Sequence, residues 1–213
     1  MSLNIDYYFR KPEKFPIPGF LDGLTEAWEI LTRAKELLTE DFIDESADIR
    51  DGATIMGPVY IGKNVEIMPG ALIRPYTIIG DNCSVGHGSE LKHAVLFGGA
   101  KVASLSFVGD SVLGASARIA SGVITGNRKF DQTEVALKLG GEKHGLGSDF
   151  FGLILGDSSR LGANCTTQPG THIGPNSWIF PQICVRGFIQ ERVRVTEERR
   201  LRYSENTVVE LKP

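Results

Sequence analysis

The sequence lacks several features that would assign it to common classes of protein. It has no apolar run near the roughly 20 residues that span a bilayer, and its first residues lack the charged and apolar regions of a secretion signal. Its three cysteines form no CxxC pair, which favours a reducing compartment. A formal net charge of −3 provides no basic field for nucleic acid or an anionic membrane. We expect a cytoplasmic protein that binds neither nucleic acid nor membrane.

The chain is rich in one pattern, an aliphatic residue at every sixth position. The period is unbroken from Ile43 to Leu91, slips by one residue at Leu96 and again at Leu113, and returns later in the chain. Neither a helix nor ordinary strand pairing produces a period of six, whereas hexapeptide β-helix repeats do. Three hexapeptides make one coil, so residues about 18 apart lie above one another at strand spacing. We expect an all-β, parallel β-helix with its aliphatic side chains inside.

The repeat divides the chain into three parts. Residues 1–42 comprise an arm rich in proline and aromatic residues and one amphipathic helix, at about 22–40. We expect the apolar stripe of this helix to pack on the end of the β-helix or on another subunit. Residues 43–187 form the β-helix, and residues 188–213 form a charged tail. A glycine-rich insertion at 126–154 fits either a ligand-binding loop or a tolerated surface excursion.

Two cationic residues stand one coil apart in the repeat. Arg74 and Lys92 each follow an inward aliphatic residue, 18 positions apart, so we expect their side chains to be vertical neighbours. Like charges at about 5 Å repel unless water screens them or an anion bridges them. One interpretation is a phosphate or carboxylate site, in which the Arg74 guanidinium binds the anion through two N–H groups and the Lys92 ammonium acts as a point charge. The other is a pair of surface side chains bound to Glu90 or Asp110.

His87 and Ser104 are the third residues of hexapeptides on successive coils. A serine within reach of a histidine suits general-base or nucleophilic chemistry. No third group that would orient the pair is evident, and two unconnected surface residues are the simpler interpretation. His87 and His93 are six residues apart and so fall on different faces, while His172 is several coils away. We therefore expect no metal site.

The segment Ala71–Asp131 reads ALIRPYTIIGDNCSVGHGSELKHAVLFGGAKVASLSFVGDSVLGASARIASGVITGNRKFD. A similar pattern of repeat and turn residues continues through Phe151–Asp157 to about Gly187. These residues resemble the β-helix domain of bifunctional N-acetylglucosamine-1-phosphate uridyltransferases, including their archaeal-type and short bacterial relatives. The resemblance implies a left-handed parallel β-helix. It also implies a homotrimer that transfers an acetyl group from acetyl-CoA to the amine of glucosamine-1-phosphate, in clefts between subunits.

The resemblance assigns binding roles to three residues of this chain. Arg74, in Ile73-Arg74-Pro75, and Lys92 match family residues that hold the sugar phosphate, which agrees with their expected stacking. Asn127 matches a family asparagine of the sugar and acetyl pocket.

The catalytic positions depart from the family pattern. The family has His where this chain has Ser104, and Tyr where it has Phe107. That His is the proposed general base, which takes a proton from the attacking amine and typically supplies about 10²–10⁴-fold in rate. A further family Asn falls at Arg118. His87 or His144 are the available substitutes. No uridyltransferase domain precedes the repeats, so we expect no nucleotidyl transfer by this chain.

We therefore weigh two functions. The first is acetyl-CoA-dependent N-acetyl transfer to an amino-sugar phosphate or nucleotide sugar, with Arg74, Lys92 and Asn127 binding substrate and His87 or Ser104 acting in catalysis. The alternative is a non-catalytic phosphosugar-binding or regulatory trimer that has lost the catalytic His. A zinc lyase of the carbonic-anhydrase type would need three converging histidines and is rejected.

Overall fold

The computed structural model describes residues 3–197. Short parallel strands, three to a coil, stack into a β-solenoid, and its hexapeptide repeat fits a left-handed β-helix. Ile73 pairs with Leu91, whereas Ile79 pairs with Leu96, so the slip in the sequence period is a real shortening of the coil. The predicted all-β, parallel fold is confirmed.

The strands form three faces, which we name covered, charged and open after what lies on their outer surfaces. The covered face carries Phe42–Ile43, Val59–Ile61, Thr77–Ile79, Leu153–Leu155, Thr171–Ile173 and Phe188–Ile189. The charged face carries Asp48–Ile49, Glu66–Ile67, Ser84–Val85, Lys101–Val102, Arg118–Ile119, Arg160–Leu161, Trp178–Ile179 and Arg194–Val195. The open face carries Thr54–Ile55, Leu72–Ile73, Ile124–Thr125, Thr166–Thr167 and Cys184–Val185. Two longer strands, Glu90–Leu96 and Phe107–Leu113, begin on the open face and turn the corner onto the covered face.

The covered face is buried by the N-terminal part of the same chain. It carries a continuous column of outward apolar residues: Tyr60, Ile78, Val95, Val112 and Ile154. A short helix α1 (Ile5–Tyr8), a 3₁₀ helix (Pro12–Lys14) and helix α2 (Glu29–Leu37) pack against this column in a second hydrophobic cluster. The expectation that the helix packs on the end of the solenoid or on another subunit is therefore wrong.

Helix α2 is shorter than the sequence pattern predicts. The Glu29 carboxylate accepts hydrogen bonds from the backbone N–H groups of Thr25 and Glu26, both at 2.8 Å. These bonds hold the residues before Glu29 in a turn, so the helix begins at Glu29 rather than near Asp22.

The insertion contains an antiparallel hairpin, Ala136–Leu139 with Glu142–Gly145. His172, buried on the covered face, ties this hairpin to the arm. Its Nε2 donates to the Lys138 carbonyl at 3.1 Å, and its Nδ1 accepts from the Tyr8 hydroxyl at 2.7 Å. Burial lowers the pKa of His172 to about 4, so the ring is neutral at pH 7 and the Tyr8 hydroxyl is the donor in this pair.

The repeat continues past residue 187. Phe188–Ile189 pairs with the strand below it at His172–Ile173, and Arg194–Val195 pairs with Trp178–Ile179. The remainder of the predicted tail, residues 198–213, lies outside the described residues.

Candidate functional site

A column of polar residues marks the corner between the open and covered faces. His93, Asp110 and Asn127 follow one another at intervals of 17 residues, so the shortened coils place them above one another. His93 and Asp110 have positive φ values of 48° and 45°, because here the two long strands bend around the corner. Eleven other non-glycine residues among those described also have positive φ, so the hydrogen bonds within the column, and not its backbone conformation, make this corner the candidate.

Asp110 connects the column. Only 3% of its surface is exposed. Its Oδ2 accepts from Lys92 Nζ at 2.9 Å and from Asn127 Nδ2 at 2.6 Å, and its Oδ1 accepts from His93 Nδ1 at 3.0 Å. Burial opposes ionisation, but the hydrogen bonds from His93, Lys92 and Asn127 outweigh it and hold the pKa of Asp110 below its ordinary value. Asp110 is thus a carboxylate that fixes Lys92 and Asn127 in place.

His93 is held between two hydrogen-bond acceptors. Its Nε2 lies 2.8 Å from the Leu31 carbonyl oxygen of α2, and its Nδ1 lies 3.0 Å from the Asp110 carboxylate. Both ring nitrogens are therefore engaged, so His93 pins α2 to the corner and presents neither nitrogen to a ligand.

Arg74 and Lys92 lie on adjoining coils of the open face, as their spacing predicts. Ile73 pairs with Leu91, and the Arg74 N–H donates to the Leu91 carbonyl. Each cation also has its own carboxylate, since Arg74 Nη1 lies 2.8 Å from Glu90 Oε1 and Lys92 is held by Asp110. The pairing that the sequence left as the alternative is therefore present. The two cations of the cluster thus face two carboxylates.

Lys92 also lies over an aromatic ring from the insertion. Its Nζ is 4.1 Å from the Phe150 ring centroid, and Arg128 stacks on the same ring at 4.8 Å. The insertion therefore closes over one side of the Lys92 cluster and is more than a surface excursion.

Gly109 provides space in the middle of this cluster. A Cβ at this position would stand 2.7 Å from both Asn127 Nδ2 and ring carbons of Phe107. The missing side chain lets the Phe107 ring and the Asn127 amide approach Lys92 from above.

His87 and Ser104 occupy the other end of the open face, in the turn from the charged face. Val85 pairs with Val102, so the two residues are aligned on successive coils as predicted. No hydrogen bond joins their side chains within residues 3–197. Instead His87 Nδ1 donates to the Pro69 carbonyl at 2.6 Å. A carbonyl can only accept, so Nδ1 carries a proton, and Nε2 on this exposed ring is the nitrogen left to act as a base.

His144, the second candidate base, lies in the hairpin of the insertion. It pairs with Leu137 across the hairpin, and its Nε2 is 4.0 Å from Glu142. The hairpin adjoins His172 on the covered face through Lys138, so His144 belongs to a different face from His87.

A groove of about 470 Å³ runs up the corner above His87. Its floor is formed by small and apolar residues that follow the inward aliphatics, Ala103, Ala120, Gly162 and Phe180 among them. Arg118 and Arg160 line its charged-face side. Ala103 follows Val102, which pairs with Val85, so His87 lies one coil below the lower end of the groove.

The charged face beside this groove carries a ladder of cations. Lys101, Arg118, Arg160 and Arg194 face outward on successive coils, with Trp178 between the last two. Arg160 and Arg194 stack on the Trp178 ring from either side, at 5.2 and 5.3 Å. None of the four cations has an ion-pair partner among the described residues. The sequence contains a pattern that predicts this row of cations, because each of them directly precedes an inward aliphatic residue of the charged face. That position was not compared from coil to coil.

Within the part of the chain that the structure describes, no group of three or more His, Cys, Asp or Glu side chains is placed to hold a metal ion. None of its helices is both long and apolar enough to cross a membrane.

Two family models match the chain. The GMPPB C-terminal domain covers residues 55–138, and the hexapeptide repeat of succinyl-transferase covers residues 152–179. Together these matches include the corner column, His87 and Ser104, and much of the groove.

Curated relatives include bifunctional enzymes of archaea. A bifunctional sugar-1-phosphate nucleotidylyltransferase/acetyltransferase of Sulfurisphaera tokodaii is 39% identical over 97 residues, 46% of this chain and 24% of that protein. The bifunctional protein GlmU of Methanococcus aeolicus is 33% identical over 191 residues, 81% of this chain and 46% of the relative. YaiX of Escherichia coli, an uncharacterized acetyltransferase, is 35% identical over 150 residues, 70% of this chain and 65% of YaiX. The chain thus spans less than half the length of the two bifunctional relatives.

Proposed function

This chain is a hexapeptide-repeat protein that resembles the β-helix part of GlmU-type bifunctional proteins, and from this kinship we propose that it is an acetyl-CoA-dependent N-acyltransferase. Its acceptor is the amine of a phosphorylated or nucleotide-linked amino sugar. The observation that carries the proposal is the arrangement of the open face, with the paired cations Arg74 and Lys92 at one corner and His87, its Nδ1 held by the Pro69 carbonyl, at the other.

The acceptor phosphate binds at the cationic corner. Lys92 and Arg74 supply charge-assisted hydrogen bonds to its oxygens, and Asn127 supplies an amide. Asp110 and Glu90 keep these side chains in position before the ligand arrives, which lowers the entropy that binding must cost.

His87 acts as the general base in place of the family His. The Pro69 carbonyl holds Nδ1–H, as a carboxylate or carbonyl does in other catalytic histidines, and leaves Nε2 free to accept a proton. The amine nitrogen attacks the thioester carbonyl, the C–S bond breaks, and the amine proton passes through His87 Nε2 to the departing CoA thiolate. Ser104, one coil above, is a neighbour of this path and not the base.

The acyl-CoA lies in the corner groove above His87. Its small, apolar floor suits an extended pantetheine chain, and the cations Arg118 and Arg160 at its edge suit the phosphates. The thioester end then points down toward His87.

The active unit in this proposal is a homotrimer. In one chain, His87 and Asn127 lie at opposite corners of the open face, so a neighbouring subunit is needed to enclose the substrate between them. Met68, Leu105 and Ile124 are exposed on the open face and its corners. Subunit packing would remove this apolar surface from water.

The test is turnover of acetyl-CoA with glucosamine-1-phosphate and with UDP-glucosamine as acceptors. The acetylated product is followed by mass, because the exposed Cys184 would react with a thiol reagent. We expect product in amounts equal to the CoA released. No product with either acceptor would overturn the proposal.

The second candidate is a phosphosugar-binding protein without catalysis. It is favoured by one observation, that Ser104 has no imidazole partner while His93 has both ring nitrogens occupied. Under this alternative, the sugar phosphate raises the melting temperature, acetyl-CoA does not, and no CoA is released.

A further inference from the structure

A second cavity lies beside the cationic corner, between helix α2 and the insertion. It encloses about 270 Å³, and we call it the aromatic slot. Its residues on the helix side are Trp28, Leu31, Thr32, Lys35 and Glu36; those on the insertion side are Leu146, Gly147, Ser148, Phe150 and Phe151. The His93 ring also lines the slot.

The walls of the slot suit a flat, polar ring. Trp28 faces it from one element and Phe150 from another, and no ring contact joins these two within residues 3–197, so a gap separates them. Thr32, Lys35 and Glu36 are exposed at its rim, and neither Lys35 nor Glu36 has an ion-pair partner among the described residues. Aromatic walls favour a heteroaromatic ring, and the Lys35 ammonium can pair with a phosphate that the ring carries.

The slot adjoins the proposed phosphate site. Phe150 lines the slot, and Lys92 Nζ lies 4.1 Å from the same ring. His87 and His93 are six residues apart on one coil, so the distance between them is at most about 20 Å at the rise of a strand. A ligand that starts in the slot therefore has space for phosphates at Lys92 and a sugar between Lys92 and His87.

We propose that the aromatic slot binds the base of a nucleoside diphosphate, so that the acceptor is a nucleotide-linked sugar and not a free sugar monophosphate. The base stacks on Trp28, and the two phosphates contact Lys35 and Lys92. The inference rests on the proposed function for the sugar end of the ligand alone. The proposed recognition of the base and the phosphates rests on the residues that line the slot and on Lys92.

Tryptophan fluorescence tests this inference, because the chain has only two tryptophans. A Trp178→Phe variant leaves Trp28 as the sole emitter. Titration with UDP, ADP, UDP-N-acetylglucosamine and N-acetylglucosamine-1-phosphate, without any acyl-CoA, reports on the slot. We expect quenching by at least one of the two nucleoside diphosphates, and by the nucleotide sugar if its base is accepted. The base-free sugar phosphate should not quench.

Variants of Trp28 separate stacking from a structural effect. Trp28→Ala should raise the Kd of the quenching nucleotide, measured by calorimetry, about tenfold or more, while Trp28→Phe retains most of the affinity. Leu37→Ala, an exposed change on the same helix, serves as the matched control and should alter Kd less than twofold.

Two results would overturn the slot assignment. One is the absence of quenching by both nucleoside diphosphates, and the other is equal weakening of nucleotide and sugar-monophosphate binding by Trp28→Ala. Neither result depends on turnover. Failure to release CoA would overturn the proposed reaction and leave nucleotide binding in the slot to be judged by this titration.

Discussion

The substitution Asp110→Asn should destabilise the fold through the charges it leaves behind. The carboxylate accepts hydrogen bonds from Lys92, His93 and Asn127 in a site where only 3% of Asp110 is exposed. An amide of the same shape must present its NH₂ group to at least one of these donors. It also removes the negative charge that faces Lys92 and the buried His93 ring.

The magnitude follows from burial. Removing one partner of a buried ion pair costs about 3–5 kcal/mol, because the other charge is left unpaired. Lys92 is partly exposed, so water compensates it in part, which places the effect at the lower end of this range. We expect Asp110→Asn to lower the free energy of unfolding by about 3 kcal/mol at pH 7.

Urea denaturation measures this loss. Asp48→Asn is the matched control, because its ion pair with Arg50 is half exposed and should change stability by less than about 1 kcal/mol. The Asp110 pKa is depressed in the folded state, so its contribution is present above the ordinary aspartate pKa and lost as pH falls through the lower, folded pKa. The difference between wild type and Asp110→Asn should shrink in that acid range. Equal stability of the Asp110 and Asp48 variants would refute this account of the corner.

Three further predictions test other parts of the structure. The His172 pKa falls from 6.5 to about 4 on folding, so stability is complete above 6.5 and should drop by about 3 kcal/mol between pH 7 and pH 4; a His172→Gln variant whose denaturation shows the same drop would contradict this. Gly109→Ala should push the Asn127 amide away and cost about 1–3 kcal/mol in urea unfolding, whereas an unchanged midpoint would mean that the space is not needed. The double change Arg74→Ala/Lys92→Ala should weaken sugar-phosphate binding at least tenfold by calorimetry, and wild-type affinity would remove the anion site.

The stacking of distant residues could be predicted because the hexapeptide period fixes which residues share a face. Counting residues along the repeat is enough to place Arg74 next to Lys92 on adjoining coils, and to align Ser104 with His87. The contacts of those side chains do not follow in the same way. His87 turns to the Pro69 carbonyl because that acceptor is in reach, and a period carries no information about side-chain torsions.

Asp110 and His93 were not singled out as a functional pair, although a signal existed. The two register slips make 17 the local repeat, and at that interval His93, Asp110 and Asn127 fall in one column. Counting by 18 or by hexapeptide position separates them. The position of α2 was missed for a related reason: Ile78, Val95 and Val112 are outward residues, and their apolar character predicts a covering element only when one face is compared with the others.

The most direct measurement for the central claim is the rate of acetyl transfer by wild type, His87→Asn and His144→Asn at saturating acetyl-CoA and nucleotide-linked amino sugar. If His87 is the general base, His87→Asn lowers kcat by about 10²–10⁴-fold, with acceptor binding retained and His144→Asn close to wild type. A His87→Asn enzyme that acetylates at the wild-type rate would contradict the assignment of the base and the order of groups along the open face.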